Sequence, residues 1–173
     1  QRGQRPLTAD APTLAALLEL ARIAIEYLEQ CGARGELLDP ATVGIGLTDE
    51  DAAVRSGVAW IGRSSRPVTW EFGSAIRLVT VLTDADLPAD APTVRSFCGS
   101  CLMCTEACEA HAPSGIIWEP GMAPEDFVNV DACLARRKEL AKEGMDCRYC
   151  MSVCPFTMVY LNLCGIEPDV DAP

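Results

Sequence analysis

Histidine is almost absent from this sequence, which has only His111. A His-Glu-x-x-His zinc motif therefore cannot exist, and any Ser-His-Asp or Cys-His nucleophile would have to use that one residue, so hydrolase readings are weak. Long apolar runs are lacking too. The most apolar stretch, Leu14 to Leu28, is interrupted by Glu19, Arg22 and Glu26, and no window of about 18 uninterrupted apolar residues exists to span a membrane. Basic residues are scarce: Lys plus Arg number 14 against 25 Asp plus Glu, a net charge of −11. Such a surface repels phosphate backbones and anionic membranes, so no nucleic acid is expected as a direct partner. What abounds is cysteine, with ten in 173 residues and eight of them between Cys98 and Cys154.

With 49% hydrophobic and 23% charged residues, the chain can bury a core in one compact domain or two small ones. Disulfide scaffolds are usually short secreted chains without such a core, so the cysteine spacing points to metal ligands and a reducing compartment, taken here as the cytoplasm. Gln1 in place of Met marks a processed or cut N-terminus, and no signal-type apolar segment follows it. A leader removed before Gln1 is the alternative.

Residues 1 to 8 read as loose. Asp10 can cap a helix that tolerates Pro12 in its first turn and carries Leu14, Leu17, Leu18, Ala21, Ala24, Ile25 and Leu28 on one stripe, ending at Gly32. Tyr27 and Cys31 are read as core packing on or beside it. Gly35, Pro40, Gly44 and Gly46 punctuate a loop, and Gly44-Ile-Gly46 lacks the third glycine of a dinucleotide site. Thr48 with Asp51 begins a short helix that stops near Gly57. Ala75 to Thr83 is rich in β-branched residues and reads as a largely buried strand. The first part is therefore α+β, and the Pro-containing stretch Asp84 to Pro92 suits a boundary loop. Further on, Asp131 can cap a helix through Lys142, and Arg148 to Leu163 reads as a last helix whose start Pro155 disturbs. The acidic tail from Glu167 is expected to fray.

The cysteines fall into two sets. Cys98, Cys101, Cys104 and Cys108 form a C-x2-C-x2-C-x3-C run; Cys147, Cys150 and Cys154-Pro155 repeat its later part, with Cys133 displaced 14 positions upstream of Cys147. A cubane cluster needs four thiolates at tetrahedral corners, and in such runs the fourth cysteine serves the other cluster. Crossed ligation then gives Cys98, Cys101, Cys104 and Cys154 to one 4Fe-4S cluster, and Cys133, Cys147, Cys150 and Cys108 to the other. Structural zinc is the competing reading; it usually takes two separated C-x2-C pairs and does not call for the third thiolate. Disulfides are the remaining alternative. Glu109 in place of the usual proline, with an insertion before Pro113, is a departure beside Cys108. His111 in that insertion reads as a loop residue, or as a group that hydrogen-bonds a cluster sulfur. Arg136, Arg137, Lys138, Lys142 and Arg148 read as a solvated face, with compensation of an anionic cluster or docking of an acidic redox partner as alternatives. Cys164 lies outside both sets and reads as packing.

Beside the cysteines stand Gly57-Val-Ala-Trp-Ile-Gly62-Arg63, Phe72-Gly73-Ser74, Arg77 to Asp84, Phe97-Cys98 and Pro113-Ser-Gly-Ile-Ile. In this order they resemble the C-terminal half of the corrinoid-dependent reductive dehalogenases and the related epoxyqueuosine reductases, from about residue 20 to about residue 162. The resemblance implies a partial nitroreductase-like α/β layer over residues 1–92, akin to part of the corrinoid domain, followed by a ferredoxin-like double 4Fe-4S module over 93–173. It implies the eight cysteines as ligands and a relay of single electrons from a redox partner protein to an adjacent, corrinoid-bearing active site. Cobalamin bound by this chain itself, making it a complete reductase, is the alternative. A zinc-stabilised interaction module is the third. Neither a catalytic acid nor a cobalamin-binding residue is assigned.

Overall fold

The structure, a computed structural model, describes residues 4–6, 11–39 and 47–166. The Gly44 and Gly46 loop and the acidic tail from Glu167 lie outside the described residues. In chain order the elements are β1 (Gln4–Pro6), α1 (Ala11–Gln30), β2 (Gly35–Leu37), α2 (Asp49–Arg55), β3 (Trp60–Ile61), β4 (Pro67–Val68) and β5 (Val81–Thr83). Then follow α3 (Met103–Glu106), a 3-10 turn at Pro124–Asp126, α4 (Val130–Lys142), β6 (Met145–Cys147), α5 (Tyr149–Ser152) and α6 (Pro155–Leu163). The result is a mixed helix and strand architecture, as the α+β reading expects. Among the described residues the strands form three antiparallel pairs, β1 with β6, β2 with β5 and β3 with β4. None of the described helices is long and apolar enough to cross a membrane.

Helix α2 follows the sequence closely. Thr48 accepts from the Asp51 backbone N–H, the Asp51 carboxylate accepts from the Thr48 N–H in return, and three acidic residues sit in the first turn. Helix α1 also forms where its periodicity predicts, but not in the expected setting. Only Ala21 is buried; Leu14, Leu18, Leu20 and Ile23 are exposed, as is Tyr27 at 66%. Cys31 beyond its end is exposed as well. The core-packing readings of Tyr27 and Cys31 are therefore corrected: among the described residues α1 rests chiefly on β2 and β5, and a two-stranded ribbon is too narrow to cover the apolar stripe.

The expected strand over 75–83 contracts to Val81–Thr83, half-buried to exposed. Among the described residues it pairs with β2 and packs chiefly on α1, without a second strand neighbour that would bury both faces. Residues 4–6, expected to be loose, form β1 and pair with β6, Gln4 opposite Cys147 and Pro6 opposite Met145. Helix α4 is capped by Asn129, whose side chain accepts from the Ala132 N–H at 3.0 Å, and Asp131 lies inside the first turn. The last helix is two helices. Pro155 cannot donate a backbone hydrogen bond to the preceding turn, so α5 ends at Ser152 and α6 restarts with Pro155 at its first position. Cys164 at the C-cap of α6 is exposed, which corrects its packing reading.

Packing concentrates around the cysteine-bearing elements. Ala112, Trp118, Phe127 and Val128 form a buried cluster against which Cys108 and Cys133 pack. A second contact joins the two halves of the chain. Thr157 is fully buried, its Oγ1 accepts from the Ser74 N–H at 2.9 Å, and Ser74 Oγ donates to the Met151 carbonyl at 3.3 Å. Gly73 makes this approach feasible: its φ is +67°, and a Cβ there would lie 2.2 Å from the Thr157 nitrogen.

Candidate metal centre

The first cysteine set is laid out by a tight loop and a single helical turn. Cys101 N–H donates to the Cys98 carbonyl at 3.0 Å, α3 then carries Cys104, and Cys108 follows its C-cap. The Glu109-to-Ala112 insertion folds back over Cys108. His111 N–H donates to the Cys108 carbonyl at 2.9 Å, and Ala112 N–H donates to Cys108 Sγ at 3.4 Å. His111 itself is exposed, with φ +48°, so the loop-residue reading of it holds. The second set is placed by three elements: Cys133 by α4, Cys147 by the end of β6 and Cys150 by α5, with Cys154 as the N-cap of α6. Helices α3 and α5 pack against each other and bring the two sets together.

Two cavities open between these elements. One, of about 210 Å³, is walled by Cys98, Cys101, Cys104, Cys150 and Cys154. The other, of about 60 Å³, is walled by Cys108, Cys133, Cys147 and Cys150. Cys150 and Ser64 belong to both linings, so the cavities are neighbours across a shared wall. Each draws cysteines from both sets. No group of three or more His, Cys, Asp or Glu among the described residues is gathered as ligands of a single ion; the sulfurs edge cavities rather than a point.

The donor chemistry is soft. No carboxylate lines the first cavity, and the one in the second, Glu109, is engaged by Arg136 at 2.5 Å. Burial, and next the neighbouring Cys98 sulfur, push the Cys104 thiol up to about 11. Burial pushes Cys150 up to about 12, with Cys147 adding to it and Arg66 opposing. Cys147 is also raised by burial, against the Tyr149 backbone N–H and more weakly Arg136. Crowded, desolvated sulfurs of this kind become thiolates when a cationic centre supplies the missing charge. The residues present thus fit an iron-sulfur group in each cavity.

Arginines frame the site. Arg63 donates to the Gly115 carbonyl and, at 2.5 Å, to the Gly99 carbonyl, tying the first cysteine loop to the segment after the insertion. Arg136 also bonds Glu139 at 3.1 Å, while Arg137 and Arg148 both reach Asp146, at 3.4 and 3.1 Å. Arg136 and Arg137 line the second cavity, so these two are more than a solvated face. The residues that sequence reading missed are Ser64, which lines both cavities, and Arg66, whose charge acts on Cys150, both in the β3–β4 turn. The motif Gly57 to Arg63 ends inside that turn, one residue before Ser64, and nothing in spacing alone shows that the turn inserts beside the cysteines. An aromatic group closes the first cavity. Phe97 and Phe156 line it and pack at 5.3 and 5.1 Å on Trp60, which is 1% exposed, with Trp70 beyond.

No protein-family model matches the chain. Among curated proteins it is 31% identical over 134 residues to the epoxyqueuosine reductase of Bacillus anthracis, covering 71% of this chain and 33% of that protein. It is 31% identical over 119 residues to the tetrachloroethene reductive dehalogenase of Dehalobacter restrictus, covering 62% of this chain and 22% of that one. The epoxyqueuosine reductase of Streptococcus thermophilus superposes with a TM-score of 0.58 at 19% identity, over 91% of this chain and 44% of that structure, a likeness of fold. The chain spans about a third of the length of the epoxyqueuosine reductases it matches. Over about two thirds of its own length it is a homologue of the epoxyqueuosine reductases and the reductive dehalogenases, and it shares their fold.

Proposed function

We propose that this chain holds two 4Fe-4S clusters and relays single electrons to an adjacent reductase active site. The observation that supports this most is the pair of neighbouring cavities, each lined by cysteines of both sets. In this reading Cys98, Cys101, Cys104 and Cys154 hold one cluster, and Cys108, Cys133, Cys147 and Cys150 the other. Bound clusters supply one-electron redox chemistry. The chain's own residues hold them: Arg63 fixes the first loop, the Ala112 N–H donates to Cys108 Sγ, and Arg66 and Arg136 bring positive charge to the second set. Residues 93–173 act as the ferredoxin-like module, and residues 1–92 as the part that faces the site being served.

The relatives' names support a reductive reaction at that site, the opening of an epoxide or the removal of a halogen. A corrinoid is the group that the family resemblance brings to it, held beyond this segment or by a partner protein. The complete-reductase reading, with cobalamin bound by this chain, draws on the same names and requires cobalt to copurify. The net charge of −11 favours protein redox partners over nucleic acid here, and a reducing compartment such as the cytoplasm suits the thiols. The test is anaerobic reductive titration with dithionite followed by electron paramagnetic resonance. Uptake of about two electrons per chain, with two signals broadened by mutual coupling, is expected; a chain that takes up no electrons contradicts the proposal.

A further inference from the structure

The four cysteines around the second cavity reach it from three parts of the chain. Cys147 and Cys150 come from one short stretch, Cys108 from beyond α3 and Cys133 from α4. On the core side, the segments of Cys108 and Cys133 are joined by backbone bonds. The Asn129 N–H donates to the Ala112 carbonyl at 2.8 Å and the Ser114 N–H to the Phe127 carbonyl at 3.0 Å, with Ala112, Phe127 and Val128 buried around them.

The same two segments are joined a second time, nearer the solvent. Arg136, three residues after Cys133 on α4, pairs at 2.5 Å with the carboxylate of Glu109, the residue after Cys108, and both residues line the cavity. Their side chains are 29% and 46% exposed. The Arg136 Nε–H is nevertheless sealed from solvent, with no acceptor among the described residues, so one edge of the guanidinium is buried while the other bonds Glu109 and Glu139.

Nothing equivalent lines the first cavity. No carboxylate is there, and its arginine, Arg63, donates to the Gly99 and Gly115 backbone carbonyls instead. The residue after Cys154 is Pro155, which carries no charge, whereas the residue after Cys108 is Glu109.

We infer that Glu109 and Arg136 form a clasp on the solvent side of the second cluster, positioning residues that hold Cys108 and Cys133 together and whose parting exposes that cluster and not the first. The inference rests on the two-cluster reading above. An ion pair this exposed is weak and screened by salt, so it parts while the backbone bonds and the core behind it stay closed. The second site therefore opens without unfolding of the chain.

The experiment is iron release to bipyridyl, a ferrous chelator, from the whole chain purified without oxygen and reduced with dithionite, with iron, sulfide and electron paramagnetic resonance recorded at the start. Glu109→Gln, Arg136→Gln and the double variant are compared with wild type, and Glu139→Gln serves as a control that removes the other partner of Arg136 within α4. Each single change at the clasp is expected to speed release of about half the iron by about twofold to fivefold, the span an exposed ion pair carries, and to leave the other half unchanged. The double variant should be no faster than the faster single one. Added potassium chloride should speed that half in wild type and not in the clasp variants, and Glu139→Gln should stay near wild type. Release that is unchanged, that quickens for all the iron alike, that adds up in the double variant, or that quickens as much in Glu139→Gln overturns the inference. Wild-type protein without iron and sulfide instead overturns the reading beneath it.

Discussion

Cys154, the N-cap of α6, lines the same cavity as Cys104 of α3, although Cys150, one turn earlier in the chain, reaches the wall of the other cavity as well. The break at Pro155 produces this parting. An unbroken helix from Arg148 would continue the turn of α5, whereas the restart gives Cys154 an extended backbone, φ −65° and ψ 125°.

The proposed crossed ligation can be tested by deletion. Cys154→Ala is expected to remove the cluster of Cys98, Cys101 and Cys104 and leave the other, so that iron falls by about half, to roughly four per chain. Electron paramagnetic resonance should then show one surviving signal without coupling. Loss confined to the cluster of Cys147 and Cys150 would refute the crossing.

Gly73 and Gly121 both have positive φ, +67° and +95°, but only Gly73 is crowded: a Cβ there meets Thr157 at 2.2 Å, whereas nothing lies within 4 Å of one at Gly121. Gly121→Ala is expected to cost about 1 kcal/mol from backbone strain alone. Gly73→Ala adds a forced separation of the 73–74 segment from α6 and should cost about 3 kcal/mol or more. Anaerobic urea denaturation of both variants measures the difference.

Asn129→Ala removes the side-chain cap of α4 and is expected to destabilise the chain by about 1 kcal/mol. Because α4 carries Cys133, loss of the cap should also speed release of iron from the second site to a chelator. Asp131→Ala should do much less, since the Asn129 side chain and not that of Asp131 accepts the N–H of the first turn.

How far the sequence could be read is plain from these residues. The capping box at Thr48 is a local signal, and local chemistry carried it into the structure unchanged, whereas Pro155 was legible as a disturbance of one last helix and not as the point where that helix divides in two. The stripe of α1 was legible as a helix but not as an exposed one, because burial depends on what stands opposite, and β2 with β5 is narrow. Nor could spacing show that Ser64 and Arg66 arrive beside Cys150 from a hairpin far upstream. That placement is tertiary, set by the packing of Trp60 on Phe97 and Phe156 and of Gly73 on Thr157.

Asp84 supplies a pH-dependent contact at the β2–β5 end. The Arg34 backbone N–H donates to its carboxylate at 2.6 Å and the Arg34 side chain at 2.9 Å, holding Asp84 below the usual carboxylate range. A carboxylate depressed in the folded state contributes stability that is present above its unfolded pKa, about 3.9, and is lost as pH falls through its lower folded value. Carbon-detected NMR titration should find Asp84 depressed in the wild type. In Arg34→Ala it should be less so but still below normal, since the backbone donor, the larger cause, remains.

The central claim is that the eight cysteines hold two iron-sulfur clusters, and metal content per chain on protein purified without oxygen tests it most directly. About eight iron and eight acid-labile sulfide per chain is the predicted result. Zinc bound in place of iron, with no sulfide, would contradict it.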